Sequence, residues 1–172
     1  ECGFDLLEWI VDLTDIEKNP ILSREGRHEM VQLQQEFSIA VSIICVDFFM
    51  EYPFQAKELD IRLQALGMLC ELIRVCPEVG IRQIEIPLIG QSGIEKKEDE
   101  ERIIELLTYC LPLAEENGTM LLLEMDLPPD RVQVFLNRVS SDHIKMNYDT
   151  GNSAYWEFCV EKEIRLYGKK IG

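Results

Sequence analysis

The hydrophobic pattern changes period repeatedly along the chain. Short, nearly continuous apolar runs alternate with longer stretches whose apolar residues recur every three or four positions. "FDLLEWIV" (Phe4 to Val11) predicts a strand, and after a polar loop with Asn19 and Pro20, "REGRHEMVQLQQEF" predicts an amphipathic helix. "SIAVSIICV" predicts a buried strand, within a longer apolar run "FSIAVSIICVDFF" that Asp47 interrupts. "LDIRLQALGMLCELIRVC" places Leu59, Leu63, Leu66, Leu69, Ile73 and Cys76 on one helix face. "GIRQIEIPLIG" opens with a helix-stopping Gly80 and continues as a strand. "DEERIIELLTYCLPLAEENG" predicts a helix with Ile103, Leu107, Cys110, Leu111 and Ala114 inward, a kink at Pro112 and a stop at Gly118. "TMLLLEM" predicts a strand, "PPDRVQVFLNRV" a helix, "HIKMNY" a strand and "YWEFCVEKEIRLYG" a last helix closed by Gly168. At "KKIG" another strand begins.

Five consecutive strand–helix units are therefore expected in the 172 residues. Strict alternation points to an α/β fold with a parallel sheet and helices outside it. No Gly-x-Gly-x-x-Gly follows the first strand, and "PLIGQSG" lacks the lysine and spacing of a phosphate loop. A complete (β/α)8 barrel takes about 250 residues. Five units fit either an incomplete barrel or a complete open doubly wound sheet, and the pattern alone does not choose.

The net charge of −15 argues against nucleic acid and against an anionic membrane surface. No stretch reaches the roughly 18 uninterrupted apolar residues of a membrane span. The acids of "EKKEDEERIIE" (Glu95 to Glu105) read as the solvated start of a helix. Six cysteines form no Cys-x-x-Cys pair. Several sit among apolar residues, which suits a reducing, cytoplasmic compartment.

Candidate chemistry lies where apolar strands end in acids. Glu124 closes "TMLLLE", and Asp149 follows "HIKMNY". In a parallel sheet both ends lie at one rim, where α/β folds collect their chemistry. Two hard oxygen ligands there make a half-site for Mn²⁺, Mg²⁺, Co²⁺ or Zn²⁺. The competing reading is structural: Asp126 or Asp130 caps the helix near Pro128, and Asp149, Thr150, Asn152 or Ser153 caps the next. Glu8, Trp9 and Asp47 end earlier strands, where they line the pocket or merely pack and cap.

"GFDLLEW", "VSIICVDFF", "GIRQIEIPLIGQSGI", "LPLAEENGTMLLLEMDL" and "NYDTGNSA", in this order, resemble the xylose isomerase-like TIM barrel superfamily, and within it the sugar phosphate isomerase/epimerase family, hexulose-phosphate isomerase-like. The resemblance covers nearly the whole chain and is most specific at "LLLEMDL" and "NYDTGNSA". It implies one domain over residues 1–172, truncated at both ends and corresponding to the second through sixth units of the barrel. It implies that Glu124 and Asp149 bind one divalent metal and that Glu124 also transfers a proton. The implied reaction is isomerisation or epimerisation of a ketose or ketose phosphate through an enediolate. Asn152 stands where some relatives have a histidine, and is expected, with Trp9 and Asp47, to contact substrate. The family's remaining ligands, a histidine and a glutamate from the seventh and eighth strands, are not in this sequence, so activity is expected of a full-length parent and weak or absent here. Open barrel edges invite pairing with a second copy. Two alternatives stand beside the enzyme: a non-catalytic, self-associating barrel remnant, and a metal phosphodiesterase of the endonuclease IV type, which the acidic charge disfavours.

Overall fold

The structure is a computed structural model that describes residues 3–172, so Cys2 lies outside the described residues. Its elements are β1 (Leu6–Ile10), α1 (Arg24–Phe37), β2 (Ala40–Cys45), α2 (Phe48–Glu51), α3 (Leu59–Val75), β3 (Gln83–Leu88), α4 (Lys97–Asn117), β4 (Met120–Met125), α5 (Pro129–Arg138), β5 (Ile144–Met146), α6 (Thr150–Tyr155) and α7 (Val160–Tyr167). All strands pair in parallel, in the order β1-β2-β3-β4-β5. A doubly wound sheet reverses its strand order at a switch point. This sheet adds each strand beside the one before, which is the winding of a (β/α)8 barrel. The fold is a partial barrel. The start of another strand is present too: Ile171 forms a parallel bridge with Met146.

Side chains alternate between the two faces of each strand. One face carries Ile44, Val46, Ile84, Ile86, Leu88, Leu121, Leu123, Ile144 and Met146, all buried in the core shared with the helices. The other follows the register Ile10–Cys45–Glu85–Leu122–Lys145, one row of paired residues across all five strands. This row faces the interior of the partial barrel, and it mixes apolar, acidic and basic residues where the outer face is uniformly apolar.

Local chemistry sets the ends of the elements. The Gly26 N–H donates to Ser23 Oγ at 3.0 Å and caps α1. Gly80 and Gly118 both adopt the left-handed conformation, φ 89° and 62°, just where the helices must stop and the chain enter β3 and β4. Among the described residues no helix is long and apolar enough to cross a membrane.

Several expectations change. The strand predicted over "SIAVSIICV" shortens to β2, which stops at Cys45, and the apolar residues after Asp47 turn helical: α2 begins at Phe48, with Phe48 and Phe49 buried. An apolar run alone does not separate a strand from the helical turn after it. Pro112 lies inside α4, as expected, on its exposed side. Asp99 in the acidic run is buried, accepts from the Lys96 N–H at 3.1 Å and pairs with Arg102 at 2.9 Å. Leu59 and Leu63 are exposed, and Ala65, Leu69, Leu72 and Ile73 make the buried face of α3 instead. The last predicted helix starts later than expected: α7 begins at Val160, after Glu157 turns the chain with φ 54°, and a separate short helix α6 (Thr150–Tyr155) precedes that turn. β1 is an edge strand whose Leu6, Leu7 and Ile10 are exposed, not a strand covered on both faces.

Candidate metal and proton-transfer site

β3 and β5 flank β4 and fix its C-terminal end, with Glu124 beside Pro87 in register and the Asn147 N–H donating to the Leu123 carbonyl at 2.9 Å. Glu124 is 8% exposed. One strand over, Asp149 opens α6, and its Oδ1 accepts from the Gly151 N–H at 2.6 Å. Asn152 then falls one turn into the helix, and its Nδ2 donates to Glu124 Oε1 at 2.7 Å. The structure thus brings Glu124, Asp149 and Asn152 together. The capping reading of Asp149 also holds, because capping uses one oxygen and leaves the carboxylate at the rim.

Burial raises the pKa of Glu124 above the ordinary carboxylate range, and the negative charge of Asp149 raises it further; the amide of Asn152 works in the opposite direction by stabilising the anion. Asp47 reaches the same rim. It opens α2 without a side-chain cap, accepts from the Cys45 thiol at 3.5 Å, and lines with Glu124, Met50 and Pro87 a cleft of about 360 Å³. Trp9 does not reach it. Its Nε1 donates to Asn19 Oδ1 at 3.0 Å, and its ring lines an apolar cavity of about 350 Å³ beneath α1, on the helix side of the sheet. The alternation of β1 is the reason: Glu8 and Ile10 take the inner face, so Trp9 takes the outer one.

Glu85 is the residue that sequence reasoning missed. It is 6% exposed and its carboxyl is pushed up to about 8, by burial first, then by the hydrogen bond and charge of Glu8 and by the charge of Glu124. The signal was present: in "QIEIPL" an acid sits between Ile84 and Ile86, the alternation of a strand whose second face is not apolar. Glu8, Cys45 and Glu85 bring ligand atoms within 4.8 Å of one another. His143 stays at the opposite end of the sheet, its Nδ1 2.9 Å from the Thr119 carbonyl oxygen.

The acids of the inner face stand without ion pairs. Among the described residues, ion pairs engage Asp99 and Glu100 on the helices but none of Glu8, Asp47, Glu85, Glu124 or Asp149. Crowded carboxylates without an ion-pair partner suit a divalent cation, and Glu124 with Asp149 offers it hard oxygen donors.

Comparison with known proteins agrees with this architecture. A protein of Escherichia coli (strain K12), provisionally named as the L-ribulose-5-phosphate 3-epimerase SgbU, is 27% identical over 180 residues, 96% of this chain and 60% of that protein. The D-psicose 3-epimerase of Clostridium cellulolyticum H10, solved with D-tagatose, superposes with a TM-score of 0.81 at 21% identity over 99% of this chain and 62% of that one. The IOLI protein, solved with a zinc atom, superposes with a TM-score of 0.76 at 17% identity over 98% and 61%. The chain spans about three fifths of the length of these relatives. Its sequence matches the family described as xylose isomerase-like TIM barrel over residues 1–172, and the chain belongs to that family.

Proposed function

We propose that this chain carries the proton-transfer half of a metal-dependent sugar or sugar phosphate isomerase/epimerase, with Glu124 as the acid–base group and Glu124 and Asp149 as metal ligands. The observation that carries the reading is Glu124 itself: a buried strand-end carboxylate with raised pKa, held by Asn152, facing Asp149, with no cationic partner among the described residues. A bound divalent cation, Mn²⁺, Mg²⁺, Co²⁺ or Zn²⁺, supplies the positive charge that stabilises an enediolate. The rest belongs to the chain. Asn152 occupies Oε1 of Glu124 and so leaves the other oxygen for the proton beside the substrate carbonyl. The raised pKa brings Glu124 towards the range in which a carboxylate both takes and returns a proton near neutrality. Asp47, which lines the same cleft, is assigned the role of accepting from a sugar hydroxyl. The sugar epimerases among the relatives support the substrate class.

The test is deuterium incorporation into ketoses and ketose phosphates by a polypeptide that completes the barrel, followed by NMR. Exchange at the carbon beside the carbonyl should be lost in Glu124→Gln while the fold is retained. Near-normal exchange in that variant would overturn the assignment.

A second reading, the self-associating module, is favoured by β1, where Leu6 is 62% and Ile10 53% exposed on an unpaired edge. Nucleic acid remains disfavoured at a net charge of −15. A cytoplasmic location fits cysteines packed among apolar residues, as Cys70 and Cys110 are.

A further inference from the structure

α7 buries a carboxylate that the reaction does not use. Glu163 is 2% exposed and has no Lys or Arg partner among the described residues. Three hydroxyls donate to it instead: Tyr148 Oη to Oε2 at 2.9 Å, Ser153 Oγ to Oε1 at 2.9 Å, and Tyr167 Oη to Oε1 at 2.8 Å. A buried carboxylate without a cation is expensive unless hydrogen-bonded on its own terms. Here the donors fall at informative places. Tyr148 immediately precedes Asp149, and Ser153 immediately follows Asn152. One carboxylate therefore grips both ends of the four-residue segment that presents Asp149 and Asn152 to Glu124.

The surroundings explain why such a grip is needed. α6 has only six residues, and Glu157 in the left-handed region breaks it from α7. A helix this short has little stability of its own. Within the segment the Gly151 N–H donates to Asp149 Oδ1, and the Asp149 carbonyl accepts from the Ser153 N–H at 3.3 Å and lies 3.4 Å from Ser153 Oγ. α7 folds back across this turn, which places Glu163 beneath it. Burial raises the pKa of both tyrosines, so the phenols stay protonated and keep donating.

We propose that Glu163 is a positioning residue: through Tyr148 and Ser153 it fixes the Asp149–Asn152 turn, and so sets the geometry of Asp149 and Asn152 against Glu124. The importance of this for chemistry rests on the reading of Glu124 and Asp149 as a metal and proton-transfer pair. Tyr167 shares the carboxylate and packs edge-on against the Tyr148 ring, with centroids 6.4 Å apart, but its hydroxyl bonds Glu163 and not the turn, and so it separates positioning from plain stability.

The experiment compares Tyr148→Phe, Ser153→Ala and Tyr167→Phe, because Glu163→Gln alone risks failing to fold. Two quantities are read on each folded variant: hydrogen exchange of the Gly151 and Asn152 amides by NMR, and Mn²⁺ affinity. Losing one buried hydrogen bond predicts roughly tenfold faster exchange at the turn in Tyr148→Phe and Ser153→Ala, with severalfold weaker Mn²⁺ binding. Tyr167→Phe should lower the melting temperature but leave both readouts as in the wild type. Turn exchange unchanged in Tyr148→Phe and Ser153→Ala, or equally raised in Tyr167→Phe, would overturn the proposal. Failure of the wild-type chain to bind Mn²⁺ would instead remove the metal reading, and turn exchange alone would then decide whether Glu163 positions this segment.

Discussion

The two faces of one sheet are built on opposite principles. Towards the helices β2 to β5 each contribute buried aliphatic side chains, and the resulting core is continuous across them. Towards the barrel interior the same strands carry Glu8, Cys45, Glu85, Glu124 and Lys145, in register with one another or a step apart, and many are only partly covered. The outer face holds the fold together through burial. The inner face gathers acids that repel one another, a local loss of stability that is retained where a ligand is to be bound. The strands are thus the shared scaffold, and their alternation separates stability from chemistry residue by residue.

The sharpest way to break this comparison is to truncate matched side chains on the two faces. Leu121→Ala, on the outer face of β4, should cost about 3 kcal/mol in urea unfolding through transfer and cavity effects. Ile10→Ala, on the half-open inner face of β1, should cost under about 1 kcal/mol. Equal losses would mean that the inner face is as tightly packed as the outer one.

A pH series sharpens it next. In the folded chain the Glu85 carboxyl keeps its proton up to about 8, whereas the ordinary value is 4.5. Between these values the folded state binds more protons than the unfolded state, so stability should fall as pH rises through the window and level off above it. The loss should be on the order of 2–4 kcal/mol in metal-free buffer, and Glu85→Gln should remove most of that slope. A wild-type stability that is flat or rises between those pH values would show that the inner acids are not under strain.

These experiments also mark what the sequence made legible. The alternation of apolar runs with helical periodicity was enough for the parallel α/β fold, because an all-parallel sheet needs a crossover between every pair of strands. Glu124 stood out for the same reason, as the one acid ending an uninterrupted run. Glu85 was hidden by its neighbours: "QIEIPL" is apolar enough to read as core, and only the closure of the sheet towards a barrel makes its second face a site. Asn152 was legible as a cap candidate but not as the amide that holds Glu124, since that contact joins residues 28 positions apart. For Trp9 the packing reading matches where the ring lies, since the alternation of β1 turns it to the helix side of the sheet. Glu163 carried no signal at all: a glutamate in "VEKEIRLY" is ordinary on an exposed helix face, and its burial depends on how α7 folds back.

The smallest effect concerns the edge. Leu6→Lys on β1 should reduce concentration-dependent self-association in sedimentation velocity while changing stability by no more than about 0.5 kcal/mol. Unchanged association would remove the support that this strand gives to the self-associating reading.

The central claim, that the inner rim is a cation site, is tested most directly by titrating this chain with Mn²⁺ beside Asp149→Asn. Asparagine caps a helix about as well as aspartate, so the variant should keep α6 while losing a charged ligand. The account predicts saturable binding to the wild type, weakened at least tenfold in Asp149→Asn with no loss of folded protein. Absence of binding, or binding indifferent to the substitution, would contradict it.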